Sequence, residues 1–315
     1  MKAAQITGFG APDVLRLNEV DRPVPAAGEV LVSVEASSVN GHDALLRAGG
    51  LKIVSGRTFP IGVGLDFAGV VVETGPDVRD RRVGDRVWGT VHPRRKHTSA
   101  AAAEFVAVPA DRVAPVPAGL SAVDSASLVV AGVTALIGLR DTVRLTAGER
   151  VLVRGAAGGV GTAAVQLAAA LGGHVTALAG EKHAPALRDL GADEVVDRAT
   201  TADRLGPFDV VFDTVGTELG GFRGTLAKGG RMVTIGLSGA AIAAIAASTV
   251  HGGRRIRAFS ANPDAAVLRD VAGFVDAGHL RPVVVGVHPL ADIASAHRAF
   301  ERGGALGKHV LAVAG

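Results

Sequence analysis

Residues 150–161 read RVLVRGAAGGVG, and TAAVQLAAAL follows at once at 162–171. A β-branched run that ends in closely spaced glycines and continues into an alanine-rich helix is typical of the first half of a βαβ dinucleotide-binding unit. In such a unit Gly158 lets the main chain approach a pyrophosphate, Gly161 lets the helix pack closely on the strand, and the helix N-terminus offers free N–H groups. The stretch therefore predicts a strand, a phosphate-binding turn and a helix.

The glycine spacing departs from the plain G-x-G-x-x-G pattern, because Ala156 stands where a glycine would be. In a chain with 43 glycines, an ordinary glycine-rich turn is the alternative interpretation. The following residues favour the nucleotide fold, because strand-like apolar runs alternate with helical segments: HVTALA at 174–179, EVV at 194–196, DVVFD at 209–213 and RMVTIG at 231–236. Continuous apolar runs suit parallel strands covered on both faces, so we predict a Rossmann domain over residues 123–261.

The sequence on either side of this region has a different pattern. Over residues 1–122, alternating strand-sized segments are separated by Pro and Gly, which predicts an antiparallel, barrel-like β domain with a short helix at 41–49. From Ser121 a long helix is expected, with Asp124 in its first turn. Residues 262–315 are expected to complete the β domain with a helix capped by Asn262, a strand at 282–287, a helix at 290–302 and a strand at 308–313.

Composition excludes several classes of protein. The chain has no Cys, so neither a disulfide framework nor a thiolate-bound metal is available. Aromatic residues are only 3%, and 33 Lys and Arg barely exceed 30 Asp and Glu, which argues against a nucleic-acid-binding protein. The N-terminus lacks a secretory signal pattern, and residues 239–250, which we take as the longest apolar segment, are too few to span a bilayer. We therefore expect a cytoplasmic protein with no membrane partner.

Motifs along nearly the whole chain identify a family resemblance. They stand in the sequence as SVNGHDALLRAG (38–49), FPIGVGLDFAGVV (59–71), VGDRVWG (83–89), AEFVAVPADRVAPVP (103–117), AGVTAL (131–136), GAAGGVG (155–161), LGADEVVD (190–197), FDTVG (212–216) and GKHVL (307–311). With these motifs the chain resembles the zinc-independent quinone oxidoreductase branch, the zeta-crystallin-like branch, of the medium-chain dehydrogenase/reductase superfamily. The resemblance implies an α/β protein with a GroES-like β-barrel domain and a doubly wound Rossmann domain. It also implies an NADPH-dependent reductase of quinones or related α,β-unsaturated carbonyls, homodimeric through the edges of the Rossmann sheets.

The resemblance also bears on metal binding. Zinc-bearing relatives hold a catalytic metal with a Cys, a His and a second Cys, and the corresponding positions here are Asn40, Leu65 and about Val130. We expect no zinc. Without a Lewis acid the site is poorly suited to alcohol oxidation, whereas hydride transfer to an electron-poor acceptor needs no metal.

Four residues are catalytic candidates: Asn40, Asp43 and Thr134 by the resemblance, and His42, which stands where zinc-bearing relatives carry a proton-relaying hydroxyl and quinone reductases commonly carry an apolar residue. The Asn40 amide would bind the acceptor's carbonyl oxygen, or would simply cap the helix that follows. His42 would donate the proton that follows hydride transfer, or would be an exposed histidine without a role. Asp43 would act in catalysis or fix neighbouring backbone. The Thr134 hydroxyl would hold the nicotinamide carboxamide, or bond back to a carbonyl of its own helix.

The predicted cofactor-binding residues are Thr134, Gly155, Ala157, Gly158, Gly159, Val160, Gly161, Lys182, Arg198, Gly236 and Lys308. The second Rossmann strand ends in Ala179 and Gly180 rather than an acid, which favours a ribose 2′-phosphate and therefore NADPH. Lys182 and Arg198 would supply the positive charge. Glu181 is one step from the acidic position of NAD enzymes, so NADH stays an alternative.

Two other functions stay open from the sequence. One is an enoyl-thioester reductase, although such relatives usually use a tyrosine as proton donor and this chain has none. The other is a non-catalytic nucleotide-binding or RNA-binding role, as some family members have. The basic stretch HPRRKHT at 92–98 is most simply a solvated loop, with a lid over the cleft as the alternative.

Overall fold

The structure is a computed structural model that describes residues 1–91, 100–236, 239–250, 254–259 and 261–313. The basic stretch 92–98 lies outside the described residues. The first domain contains eight strands and two short helices: β1 (Lys2–Ile6), β2 (Leu15–Glu19), β3 (Glu29–Ser38), α1 (Gly41–Arg47), α2 (Lys52–Ser55), β4 (Ile61–Gly62), β5 (Asp66–Thr74), β6 (Arg86–Thr90), β7 (Phe105–Pro109) and β8 (Val113–Pro115).

These strands form two sheets, one of three strands in the order β2-β1-β4 and a larger one built on β3, which pairs antiparallel with both β5 and β7. The alternation of small and β-branched residues along β3 buries Val30, Val32 and Val34, which pack in the barrel interior. The prediction of a GroES-like β-barrel domain is confirmed.

The middle of the chain forms the Rossmann domain. Its elements are α3 (Ala122–Leu136), β9 (Arg150–Arg154), α4 (Gly159–Ala170), β10 (His174–Ala179), α5 (Ala184–Asp189), β11 (Glu194–Asp197), β12 (Phe208–Asp213), α6 (Leu219–Gly224), β13 (Leu226–Thr234), α7 (Gly239–Val250) and β14 (Ile256–Ala258). The six strands are all parallel, in the order β11-β10-β9-β12-β13-β14. Because helices cover both faces, Val151, Leu152 and Val153 of β9 are fully buried. The predicted doubly wound sheet is confirmed, and the predicted dimer through the edges of the Rossmann sheets stays a prediction.

The remaining elements return to the first domain: α8 (Ala265–Asp276), β15 (Val284–Pro289), α9 (Ile293–Arg302) and β16 (Lys308–Ala312). β16 pairs antiparallel with β3, and β15 lies parallel beside β16. The predicted cap of α8 is wrong. Asp264 is the N-cap and accepts hydrogen bonds from the N–H groups of Ala266 and Val267, whereas the Asn262 side chain accepts one from Arg112. β15 also begins two residues later than predicted.

Helix α3 joins the cores of the two domains. Its N-cap is Ser121, where the helix was predicted to start, and the Ser121 hydroxyl accepts a hydrogen bond from the Asp124 N–H. The helix packs on α4 as well as on β3 and β5. With the π-helical turn Ile137–Thr142 it forms a 21-residue apolar helix that is long enough to cross a membrane. The longest apolar segment is therefore this helix and not 239–250. Because 72% of its most apolar window is buried inside the protein, we interpret it as a core helix.

Candidate active site

The site lies at the carboxyl ends of the parallel strands, where the strand order reverses between β9 and β12. Ligands of open α/β sheets bind at this switch point. Two cavities of about 720 Å³ and 410 Å³ open there. The larger, which we call the turn cavity, lies around Gly155, Gly158, Lys182, Arg198 and His309. The smaller, which we call the barrel cavity, lies around Asn40, His42, Leu65, Val130, Thr134 and Phe259.

The glycine-rich turn is shaped to hold a phosphate. Gly155 has a φ of 75°, and a Cβ there would overlap the Thr214 hydroxyl. Gly158 is the N-cap of α4 and supplies no side-chain cap, so the first N–H groups of the helix are left for a ligand. Gly161 packs against the carbonyl oxygen of Gly155, as predicted for its role in close packing. The turn therefore fits the pyrophosphate of a dinucleotide.

The turn cavity brings together most of the predicted cofactor-binding residues. Gly155, Ala157, Gly158 and Gly159 line one part of it, and Lys182 and Arg198 line another. Val160 faces the barrel cavity instead, beside Thr134. Gly236 lines neither cavity and packs against Gly216, so its contribution is to the shape of the loop after β13.

Arg154, at the end of β9, is a site residue that the sequence analysis missed. It lines the turn cavity, and its guanidinium lies 2.9 Å from the fully buried Asp213 and donates to the Thr217 carbonyl oxygen. Asp213 also accepts from the Thr234 hydroxyl at 2.7 Å. This buried ion pair fixes the loop that follows β12 against the turn. The signal in the sequence that could have identified it is an arginine at the end of strand β9, directly before the glycines.

The barrel cavity is largely apolar and carries no Lys, Arg, Asp or Glu among the described residues that line it. The three positions that correspond to zinc ligands in relatives, Asn40, Leu65 and Val130, all line it. Its polar groups are amides, threonine hydroxyls and the imidazole of His42. Thr134 is 6% exposed and faces the cavity from α3. Such a lining suits an uncharged organic molecule.

Asn40 is held by its neighbours on both sides of its amide. The side-chain nitrogen donates to the Ser38 carbonyl oxygen at 3.0 Å and to the Asp66 carboxylate at 3.3 Å. The side-chain oxygen accepts from Lys308 Nζ at 2.5 Å. Because both amide hydrogens are directed at these acceptors, the structure does not support the expected role of Asn40 as a donor to the acceptor's carbonyl oxygen.

Asp43 does not line the cleft, which corrects the expectation that it is a catalytic residue. Its carboxylate accepts from the N–H of Asn40 at 3.0 Å and from the N–H of Gly64 at 3.2 Å, which completes a capping box at the start of α1. Burial alone would raise the pKa of Asp43, but the imidazole of His42, the charge of His297 and the hydrogen bond from the Asn40 N–H together lower it. Asp43 is thus a buried carboxylate that fixes the loop carrying Asn40 and His42.

Lys308 also differs from its predicted role in cofactor binding. Its ammonium is buried and donates to the Val39 carbonyl oxygen at 3.1 Å as well as to Asn40. Burial lowers the pKa of Lys308, and the charges of Asp66 and Asp43 oppose that shift. Its methylene groups pack on Gly159, where a Cβ would overlap them. Lys308 therefore supports the first turn of α4 and orients Asn40.

We expect His297 on α9 to make the stability of the fold depend on pH. The side chain is 1% exposed and its Nδ1 has no hydrogen-bond partner. Burial lowers its pKa below 6.5, with Arg47 acting in the same direction and Asp43 and Glu301 against it. As pH falls below 6.5, the unfolded chain binds a proton that the folded chain does not, so stability falls by at most about 1.4 kcal/mol per pH unit.

We therefore expect His297→Gln to weaken the loss of stability between about pH 7 and pH 5, measured as urea unfolding midpoints. The matched control is His279→Gln, because His279 is exposed. Equal pH slopes for wild-type protein and His297→Gln would contradict the assignment.

Among the described residues, no group of three or more His, Cys, Asp or Glu side chains is placed to hold a metal ion. The amide of Asn40 and the alkyl side chains of Leu65 and Val130 do not form a zinc ligand set.

Comparisons with known proteins agree with this geometry. Residues 26–118 match the family of alcohol dehydrogenase GroES-like domains, and residues 190–311 match the family described as zinc-binding dehydrogenase. The chain is 32% identical to the human mitochondrial NAD(P)H oxidoreductase RTN4IP1, over 99% of this chain and 89% of that protein. It is 30% identical to 2-methylene-furan-3-one reductase from Solanum lycopersicum, over 99% of this chain and 79% of that protein.

The structure is also similar to that of the quinone oxidoreductase from Coxiella burnetii, with a TM-score of 0.90 and 30% identity over 100% of this chain and 99% of that one. A match of this length to both domains, in the same order, defines the family. The chain belongs to the quinone oxidoreductase branch of the medium-chain dehydrogenase/reductase superfamily and is an oxidoreductase of that superfamily.

Proposed function

We propose that this protein is an NADPH-dependent reductase that transfers a hydride to a quinone or a related α,β-unsaturated carbonyl. The observation that carries the proposal is the junction of the two cavities. Thr214 lines both, and the successive residues Gly159 and Val160 line one each. A dinucleotide whose pyrophosphate lies on the turn would therefore extend its nicotinamide end into a largely apolar cavity, which has no Lys, Arg, Asp or Glu among its described lining residues.

When bound, the reduced nicotinamide supplies the hydride. The chain's own residues bind, orient and exclude water. The Thr134 hydroxyl is placed to hold the carboxamide, and Leu65, Val130 and Phe259 give the acceptor an apolar environment. The uncharged lining supports a neutral acceptor, since an anionic one would find no Lys or Arg among the described residues there.

The proposal includes a preference for NADPH over NADH. Lys182 and Arg198 line the turn cavity beside the end of β10. Glu181, the residue for which NADH stayed an alternative in the sequence analysis, is exposed and does not line this cavity. Asp197 does line the cavity, but its carboxylate accepts from the N–H of Ala199 at 2.7 Å. Two cations near the ribose favour a 2′-phosphate.

Removal of these cations is expected to weaken NADPH specifically. Each of Lys182→Ala and Arg198→Ala should raise the dissociation constant for NADPH about tenfold, because each removes a charge-assisted contact to the 2′-phosphate. The constant for NADH should change little, which makes NADH the internal control. Nicotinamide fluorescence measures both. Equal losses for the two nucleotides would contradict the assignment of these residues to the 2′-phosphate.

We also propose that the reaction needs no zinc, because the three corresponding positions carry an amide and two alkyl groups and the chain has no Cys. The decisive assay offers NADPH or NADH with a panel of quinones, enones and enoyl thioesters and follows absorbance at the nicotinamide band. We expect NADPH to be consumed with quinones or enones, at a rate that a chelator leaves unchanged. If NADPH binds but no acceptor is reduced, the proposed activity is wrong.

A further inference from the structure

We propose that His42 donates the proton that completes reduction, with the buried carboxylate of Asp43 stabilising its protonated imidazole. This inference rests on the proposed function, because it concerns the second half of that reaction. It also gives Asp43 a positioning role that the sequence did not predict.

The ring of His42 is oriented between Asp43 and the barrel cavity. Its Nδ1 has no accessible surface and no hydrogen-bond partner, and it lies 3.9 Å from Asp43 Oδ1, within ion-pair distance. The side chain as a whole is 30% exposed and lines the cavity. Since Nδ1 is covered, Nε2 is the nitrogen left to meet an acceptor or water.

Asp43 is rigidly placed for this role. Its carboxylate is 3% exposed and is anchored by the N–H groups of Asn40 and Gly64, on the loops at either side. A fixed carboxylate beside Nδ1 favours the imidazolium and orients the ring, as in other carboxylate–histidine pairs. The charged or titratable groups around this carboxylate are His42 on its own helix, His297 on α9, Asp66 on β5 and Lys308 on β16, while Arg47 acts on His297 from α1.

Other polar groups of the barrel cavity are poor proton donors. Both amide hydrogens of Asn40 face Ser38 and Asp66. The hydroxyls of Thr90, Thr134, Thr214 and Thr234 and the amide of Asn262 do not ionise near neutral pH, and the chain contains no Tyr. His42 carries the one ionisable side chain among the described residues that line the cavity, so it is the candidate proton donor.

With an enone as the acceptor, reduction consists of a hydride transfer followed by a proton transfer. The hydride leaves the reduced nicotinamide with its electron pair and forms a C–H bond at the β-carbon, so NADPH becomes NADP⁺. The electrons of the C=C bond shift toward the carbonyl oxygen, leaving an enolate. The Nε2–H bond of His42 breaks as its proton is transferred to the enolate. The partly exposed imidazole is then protonated again by solvent.

The test is His42→Gln, with His279→Gln as the matched control on an exposed histidine away from the cavity. Single-turnover reduction of an enone or quinone by enzyme preloaded with NADPH should be about 100-fold slower in His42→Gln at about pH 7. The wild-type rate should fall as pH rises and the imidazole loses its proton, and this limb should be absent in His42→Gln. NADPH binding, measured by fluorescence, should be the same in wild-type protein and both variants.

Asp43→Asn gives a second readout. Without the carboxylate, the imidazolium is less stable, so both the descending limb of the rate and the NMR titration of the His42 ring should move to lower pH. If Asp43→Asn does not fold, the pH dependence of the wild-type rate is sufficient to test the proposal. A wild-type rate that is flat between about pH 5.5 and 8.5, or an unchanged rate in His42→Gln, overturns this inference alone. A wild-type enzyme that reduces no acceptor overturns the proposed function as well.

Discussion

Lys308→Met is expected to lower the free energy of unfolding by about 3 to 5 kcal/mol, because it leaves the buried Asp66 carboxylate without an opposing charge. Lys308 and Asp66 lie on either side of Asn40, and both are buried. Met matches the Lys stem in length and keeps the packing on Gly159. The substitution therefore mainly removes the ammonium, and it leaves the Asn40 oxygen, the Val39 carbonyl oxygen and the Asp66 carboxylate without their cation.

The pH dependence separates this electrostatic effect from a packing defect. Burial raises the pKa of Asp66, and the charge of Lys308 opposes that shift, so removal of Lys308 raises the pKa further. Above 3.8 the folded variant then holds a proton that the unfolded chain has lost, and its stability falls as pH rises toward the folded-state pKa. Asp66→Asn added to Lys308→Met should remove this slope and recover part of the stability, measured by urea unfolding.

Lys228→Met is the control, because Lys228 is exposed, and it should leave the unfolding midpoint nearly unchanged. If Lys308→Met is as stable as wild-type protein, or if its stability does not change with pH, the buried charge of Lys308 does not stabilise its interactions with Asn40 and Asp66.

The Rossmann sheet was predictable from the sequence because its determinants are local. β9 and β12 are covered on both faces, so each is a continuous apolar run that stands out in the sequence. The turn between β9 and α4 is specified by glycines whose positions follow from close approach of backbone. Helix α8 shows where local rules fail: they predicted Asn262 as its cap, but Asn262 contacts Arg112, 150 residues away, and Asp264 caps the helix instead.

The candidate site was only partly predictable because its key contacts join distant parts of the chain. Lys308 meets Asn40 across 268 residues, and Arg154 meets Asp213 across 59. Motif spacing placed Lys308 near the cofactor, yet only the pairing of β16 with β3 shows that its ammonium points into the barrel domain. Likewise, His42 and Asp43 were predicted as separate candidates, and their different burial shows that His42 faces the cavity and Asp43 supports it.

The second large effect is expected for Gly161→Ala, which should weaken NADPH binding about 100-fold or more. A Cβ at residue 161 would overlap the carbonyl oxygen of Gly155 and lie 2.8 Å from backbone atoms of Ala156. Both neighbours are backbone atoms of the phosphate-binding turn, so no side-chain rotation can relieve the overlap. Either the turn moves away from α4 or the helix moves from β9. In both cases the N–H groups at the start of α4 lose their alignment toward the pyrophosphate.

Gly273→Ala provides a matched control, because Gly273 also lies within a helix, α8, and has no atom within 4 Å of a Cβ built there. It should be neutral or stabilise the protein by up to about 1 kcal/mol, as expected for Ala in place of Gly in a helix. Isothermal titration with NADPH, together with thermal unfolding in the absence of nucleotide, distinguishes lost binding from lost folding. If Gly161→Ala binds NADPH as tightly as Gly273→Ala, the turn before α4 does not hold the diphosphate, and the placement of the nicotinamide in the barrel cavity is wrong with it.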